Sequence, residues 1–389
     1  MTSPSVKVNT LFKQTVKPFI DGLSKFFIVL ESVLGLNRAP LLFNKWTRTL
    51  IALAVLHSIF LNISLILITY IYAYNLTFNY ILTISLSFVE YLFCISISLI
   101  LKGRIGRYYA ELNRFDIEIG YRPKISAASI RNAVVMVLFA ICVAIFHTVC
   151  YYYDYLPNTY ITIIPLNLIH SMEMFYYGHL LSLLTSRLRL INYYVESALS
   201  TVHKDVTRPN IIELEFFKQK NSKNYDMSKL MDMYHICIKT YDFLIDAIKW
   251  QLLVVLITSF GITLIFSYHV SLSIIRSENP FLDIVCDMGM TAAEMLPLFS
   301  PCLFGDRVHN EVRRLRELLA SRLYENKLDK SGRSAARALL ALTEARDLSF
   351  SLLRMLQIDI SLPFKFIGLL VTYLIILLQF DKVINISNS

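Results

Sequence analysis

The feature that most constrains this chain is the recurrence of apolar runs about 20 residues long. That is the length a helix needs to cross a hydrocarbon core about 30 Å thick. Seven such runs can be drawn, at Leu50–Tyr74, Tyr80–Leu101, Ala133–Tyr153, Tyr160–Leu184, Trp250–Ile274, Pro280–Phe304 and Leu362–Phe380. The fourth is interrupted by His170, Glu173 and His179. Hydrocarbon offers backbone groups no partners, so each run must close its own hydrogen bonds, and no alternating strand pattern competes. An all-α, polytopic fold with seven transmembrane helices is expected. Composition agrees: charged residues make up 17% of the chain, against about 25% in soluble domains.

Lysine and arginine set the orientation. With the N-terminus cytoplasmic, only Arg276 and Lys382 of the 38 Lys and Arg residues fall on the outer side. The C-terminus is then extracellular. The resulting plan is a cytoplasmic segment 1–49, spans one to four in 50–184, cytoplasmic extensions and a loop in 185–249, spans five and six in 250–304, cytoplasmic anchor helices in 305–361, span seven in 362–380 and an outer tail 381–389. Met1–Lys25 does not read as a cleavable signal, because Lys7, Lys13, Lys17 and Lys25 interrupt it. Asn75 and Asn385 begin glycosylation sequons on the expected outer side.

Several helices are expected to run on into the cytoplasm. Leu184, Leu188, Ile191, Val195, Leu199 and Val202 keep three- and four-residue spacing. So do Met227, Met231, Tyr234, Ile238, Tyr241, Ile245 and Ile248, and Val308, Val312, Leu315, Leu319 and Leu323. Such faces pack on other helices. Ala335–Leu356 reads as one more amphipathic segment. This layer serves equally as a subdomain of one chain or as an anchor between subunits.

Other classes are disfavoured. A net charge of +9 is explained by basic residues on the inner membrane side, with no nucleic-acid partner. No Gly-rich phosphate loop, nucleophile elbow or metal-ligand cluster occurs, so no enzyme, cofactor or metal is expected. The six cysteines are scattered without CxxC spacing. A G-protein-coupled receptor would have the reverse orientation, an acidic-Arg-Tyr step after span three and NPxxY in span seven; span three ends Tyr151-Tyr152-Tyr153-Asp154 instead. A secondary transporter would show an internal repeat, and none is visible.

Ionisable groups inside spans are site candidates by default, because burying charge in lipid is costly. They are Glu90, Glu173, Asp283, Asp287 and Glu294, with His170 and His179 on either side of Glu173. The expected outer half of the bundle gathers Tyr151, Tyr152, Asp154, Phe175, Tyr176, Phe266, Tyr268, His269, Asp283 and Asp287. Aromatic walls with a few polar groups suit a small-molecule pocket, and carboxylates beside aromatics suit a cationic ligand such as an alkaloid. Interfacial aromatic belts and buried acid–base pairs would leave the same pattern.

The last run carries the most specific signal. Thr372-Tyr373, five apolar residues and then Gln379-Phe380 match the TYhhhhhQF signature of insect gustatory receptors, where h is apolar. Gln357-Ile358-Asp359 resembles the approach to that helix, and the chain resembles the family in size and span plan. The resemblance implies a homotetrameric, ligand-gated, non-selective cation channel, related to insect odorant receptors, in the plasma membrane of sensory neurons. Hetero-oligomers with other gustatory receptors stay open. The last helix of each subunit would line one central pore, held together by the cytoplasmic helices. Lys365, Thr372, Ile376 and Gln379 share a face. In a fourfold ring, Ile376 would close the pore by dewetting and Gln379 amides would coordinate monovalent cations, with calcium a further candidate. On the residues alone, Gln379 reads as an amide reaching the outer membrane surface. Tyr373 and Phe380 are expected to pack on neighbouring helices. Asp359-Ile360-Ser361-Leu362-Pro363-Phe364 departs from the stretch that precedes this motif in sugar receptors, which tilts the small-molecule tastant toward a bitter plant compound.

Overall fold

The structure is a computed structural model. It describes residues 22–33, 48–72, 78–120, 160–199, 227–276, 281–325, 328, 330–352 and 355–387, together with positions between 134 and 149 that are all helical. The helices, in chain order, are α1 (Gly22–Val33), α2 (Arg48–Tyr72), α3 (Phe78–Ile119), α4 (Tyr160–Leu199), α5 (Met227–Arg276), α6 (Phe281–Met295), α7 (Phe299–Glu325), α8 (Lys330–Ala345) and α9 (Ser361–Ser387). The expected all-α fold is found. Ile81–Ser98, Met227–Ile275 and Ser361–Phe380 are long and apolar enough to cross a membrane.

Three helices far exceed a membrane crossing: α3 has 42 residues, α4 has 40 and α5 has 50. Their extensions pack by the spacing seen in the sequence. Leu184, Leu188, Ile191 and Val195 of α4 are buried, as are Tyr234, Ile238 and Ile248 of α5 and Val308, Val312, Leu315 and Leu319 of α7. They form one continuous core, with α4 lying along α7 and α5 along α3. The side chain of Leu199 and all of Val202 lie outside the described residues. Leu188→Ala is expected to destabilise the protein by about 2–5 kcal/mol, the usual cost of deleting a well-packed core leucine. Thermal melting of the solubilised full chain checks this.

Helix ends follow local chemistry. Gly120 closes α3 with φ 71°, its N–H donating to the Ile117 carbonyl at 3.0 Å. That left-handed cap suits glycine. Span six is not one uninterrupted helix. A 3-10 turn at Leu296–Leu298 separates α6 from α7, because Pro297 has no N–H to continue the α-helical ladder. Ala335–Leu356 is not one helix either. α8 ends at Ala345 and the chain forms a two-stranded antiparallel hairpin, β1 (Ser351–Leu352) and β2 (Leu356–Gln357), with Ser351 opposite Gln357. Leu348, Phe350, Leu352 and Ile358 bury inward from this region, so the apolar spacing there served a turn that tucks into the core.

Candidate functional site

The hairpin delivers the chain to α9. The Asp359 carboxylate accepts from the Ser361 backbone N–H at 3.0 Å and from its hydroxyl at 2.6 Å, an Asx-type cap on the first free amides of the helix. Pro363 falls in the first turn, where a missing N–H costs nothing. The helix does not stop at Phe380 but continues through Ser387. Asn385 therefore lies on helical backbone, while Asn75 lies outside the described residues.

One stripe of α9 seats on the bundle. Leu362, Phe366 and Leu370 are buried. Phe260 of α5 receives Phe366 edge-on at 5.2 Å and Tyr373 at 5.8 Å, and Phe299 of α7 meets Phe364 at 6.4 Å. Tyr373 thus packs on a neighbouring helix, whereas Phe380 is exposed within the chain. Thr372, Ile376 and Gln379 are also exposed, and so is Lys365. Steps of four and three put the first three on one face, turned away from the seated stripe. The Thr372 hydroxyl donates back to the Gly368 carbonyl at 3.0 Å, so it remains quiet on the helix surface.

The buried polar groups of the bundle sort into separate centres. His170 of α4 holds Glu90 of α3, Nδ1 to Oε1 at 2.9 Å. Its Nε2 lies 3.3 Å from the backbone carbonyl of Glu294 and 3.7 Å from the Glu294 carboxylate, on α6. The Thr258 hydroxyl of α5 donates to the other Glu90 oxygen. Four helices meet there around a small cavity lined also by Ser87, Tyr91, Cys94, Leu166, Asn167, Ile169 and Ile262.

Glu173 belongs to a different network. It accepts from the Tyr177 hydroxyl one turn along. Gln251 Oε1 lies 2.9 Å from the same hydroxyl, and the Gln251 amide donates to the Cys94 carbonyl at 3.1 Å. His179 pairs with Ser24 of α1 at 2.9 Å and stacks on Phe27. The two histidines beside Glu173 in the sequence therefore serve other partners.

Of the remaining candidates, His269 Nδ1 meets Asp287 Oδ2 at 2.6 Å and joins α5 to α6. Tyr268 precedes that histidine and is half-buried. Phe175 meets Phe139 edge-on at 5.2 Å. Tyr176 is fully buried, its hydroxyl 3.3 Å from that of Tyr109. Asp283 lies on the α6 backbone, and Tyr152 and Asp154 fall outside the described residues. Among the described residues, the sequence candidates are thus spread over several centres and do not converge on one cleft. Thr258 and Gln251 escaped the sequence reading. Gln251 is the one side-chain amide in the apolar run of span five, whereas Thr258 is one of several hydroxyl residues there and nothing in the sequence singled it out. Among the described residues, no group of three or more His, Cys, Asp or Glu side chains could hold a metal ion.

Known structures share this arrangement. The fold aligns with the insect olfactory receptor OR5 from Machilis hrabei at a TM-score of 0.58 and 11% identity, covering 92% of this chain and 100% of that one. Against the same receptor in complex with eugenol, the TM-score is 0.59 and the identity 12%, covering 91% and 98%. No curated protein sequence matches the chain. The family model described as 7tm Chemosensory receptor matches residues 23–384, nearly the whole length. The chain belongs to the 7tm chemosensory receptor family.

Proposed function

We propose that this chain is a gustatory receptor that works as a ligand-gated, non-selective cation channel, with four copies arranged around a pore lined by α9. The observation that carries the reading is the face of α9 bearing Thr372, Ile376 and Gln379. It is uncovered by the rest of the chain, yet it places an amide and a hydroxyl, above Lys365 on the same face, in an apolar stretch of the helix. Apolar side chains face lipid without penalty, whereas a buried amide needs partners. Water and passing cations would supply them. Gln379 amides would strip part of an ion's hydration without trapping it, and Ile376 would close the path when the ring is dry. The layer built from the extensions of α4, α5 and α7 would sit in the cytoplasm and join subunits. The site of action would be the plasma membrane of sensory neurons.

The opening ligand would be a small tastant, with a bitter plant compound favoured over a sugar. Machilis hrabei OR5 in complex with eugenol supports a small-molecule ligand for this fold. The test is expression of the full chain in oocytes against alkaloids, glycosides, sugars and volatiles. A ligand-evoked cation current is expected. Gln379→Ala is expected to shift its reversal potential under bi-ionic conditions while leaving the half-maximal ligand concentration nearly unchanged. A current that depends on a coupled ion and ignores Gln379 would support a transporter instead.

A further inference from the structure

The centre around His170 sets one imidazole between two buried carboxylates. Both ring nitrogens of His170 face acceptors, Glu90 Oε1 at 2.9 Å and the Glu294 carbonyl at 3.3 Å. A neutral ring would turn a lone pair toward one of them, so this geometry matches the doubly protonated ring. One positive charge then stands against two carboxylates. Among the described residues, no lysine or arginine pairs with either one.

The shortfall is local to Glu294. Glu90 is satisfied twice, by His170 and by the Thr258 hydroxyl. The Glu294 side chain is 97% buried, and its one partner among the described residues is His170 Nε2 at 3.7 Å, beyond hydrogen-bond reach. An ionised carboxylate that is buried and unpaired is costly. Glu294 lines the small cavity beside it, together with Ser87 and Asn167. That space has room for about one water-sized group. The Ser87 hydroxyl donates to the Thr83 carbonyl at 3.1 Å, which leaves its lone pairs available. A carboxylate, a hydroxyl and an amide around a space of that size form a receptacle for positive charge.

We propose that the Glu90–His170–Glu294 centre binds one small monovalent cationic group against Glu294, either a sodium ion or the ammonium head of an organic amine. Both offer the same chemistry: a single compact charge that accepts oxygen neighbours. Either would bridge α3, α4 and α6 and bring the centre to neutrality.

The test uses purified full-length protein in detergent, melted at constant ionic strength in sodium chloride, methylammonium chloride or N-methyl-D-glucamine chloride, the last too large for the cavity. At saturation, sodium or methylammonium is expected to raise the Tm by roughly 2–4 °C over N-methyl-D-glucamine. Glu294→Gln keeps the shape, removes the charge and is expected to abolish the rise. A response to methylammonium alone assigns the site to an organic ligand; a response to sodium alone assigns it to the inorganic ion. An equal Tm in all three salts, or an unchanged rise in Glu294→Gln, overturns the proposal and leaves a proton on Glu294 to balance the charge. If Glu294→Gln does not fold, equilibrium binding of radiolabelled methylammonium to the parent decides. Saturable binding of one per chain, or saturable binding of labelled sodium in a parallel assay, supports the site; no saturable binding of either labelled cation overturns it. No current is measured, so failure here is distinct from failure of the channel reading.

Discussion

Asp116→Ala is expected to cost the folded protein about 3–5 kcal/mol. Asp116 of α3 and Arg187 of α4 form a two-pronged pair, Nε to Oδ1 at 3.2 Å and Nη2 to Oδ2 at 2.8 Å. Their side chains are only 6% and 8% exposed. Removing the carboxylate leaves a guanidinium that cannot lose its proton and has no water to turn to. The Tm of the solubilised chain should fall by roughly 4–6 °C. The double variant Asp116→Leu with Arg187→Met should recover most of that loss, because a well-packed apolar pair replaces a buried ion pair at little cost. A single variant melting with the parent would mean that the pair is open to water. Cys237 lies close enough to feel both charges, and burial pushes its thiol up. It stays protonated and unreactive.

Gly305→Ala is expected to cost roughly 1–3 kcal/mol and to depress ligand-evoked current. A methyl group at Gly305 of α7 would stand 2.8 Å from the Ile358 carbonyl oxygen. That oxygen belongs to backbone that cannot easily give way, because the Ile358 N–H donates to the Phe350 carbonyl at 2.7 Å across the hairpin. The next residue is Asp359, the cap of α9. Pushing it outward shifts the base of the proposed pore helix. Gly368→Ala is the control: the same methyl meets nothing within 4 Å there, so the Tm should hold or rise. Equal melting of the two variants would remove the steric argument.

The extent of the fold that sequence reasoning could read depended on how local each signal was. Apolar runs and three-and-four spacing are local, so the long helices and the packed faces from Leu184 to Val195 and from Val308 to Leu319 were legible. The hairpin was not, because Leu348, Leu352 and Leu356 keep a four-residue spacing that continues the helical pattern of the preceding segment. The continuation of α9 past Phe380 was hidden by Asp381 and Lys382, which look like the end of a span. The polar centres were half legible. Cost in lipid marked Glu90, His170, Glu173 and Glu294 one by one, but pairing is a long-range fact. His170 finds Glu90 across 80 positions and Glu294 across 124, while Glu173, three residues away, turns to Tyr177.

The length of α5 has a mechanical consequence. Its 50 residues at 1.5 Å per residue make a rod of about 75 Å, so tilting it by about 5° around its middle swings each tip by about 3 Å. One tip carries Tyr234 in the helical layer and the other carries His269 against Asp287. Between them lie Thr258, bonded to Glu90, and Phe260, the seat of α9. A displacement too small to unpack any of these contacts near the fulcrum would still be several tenths of a side-chain diameter at the ends, so a ligand need do very little work locally to be felt along the whole molecule.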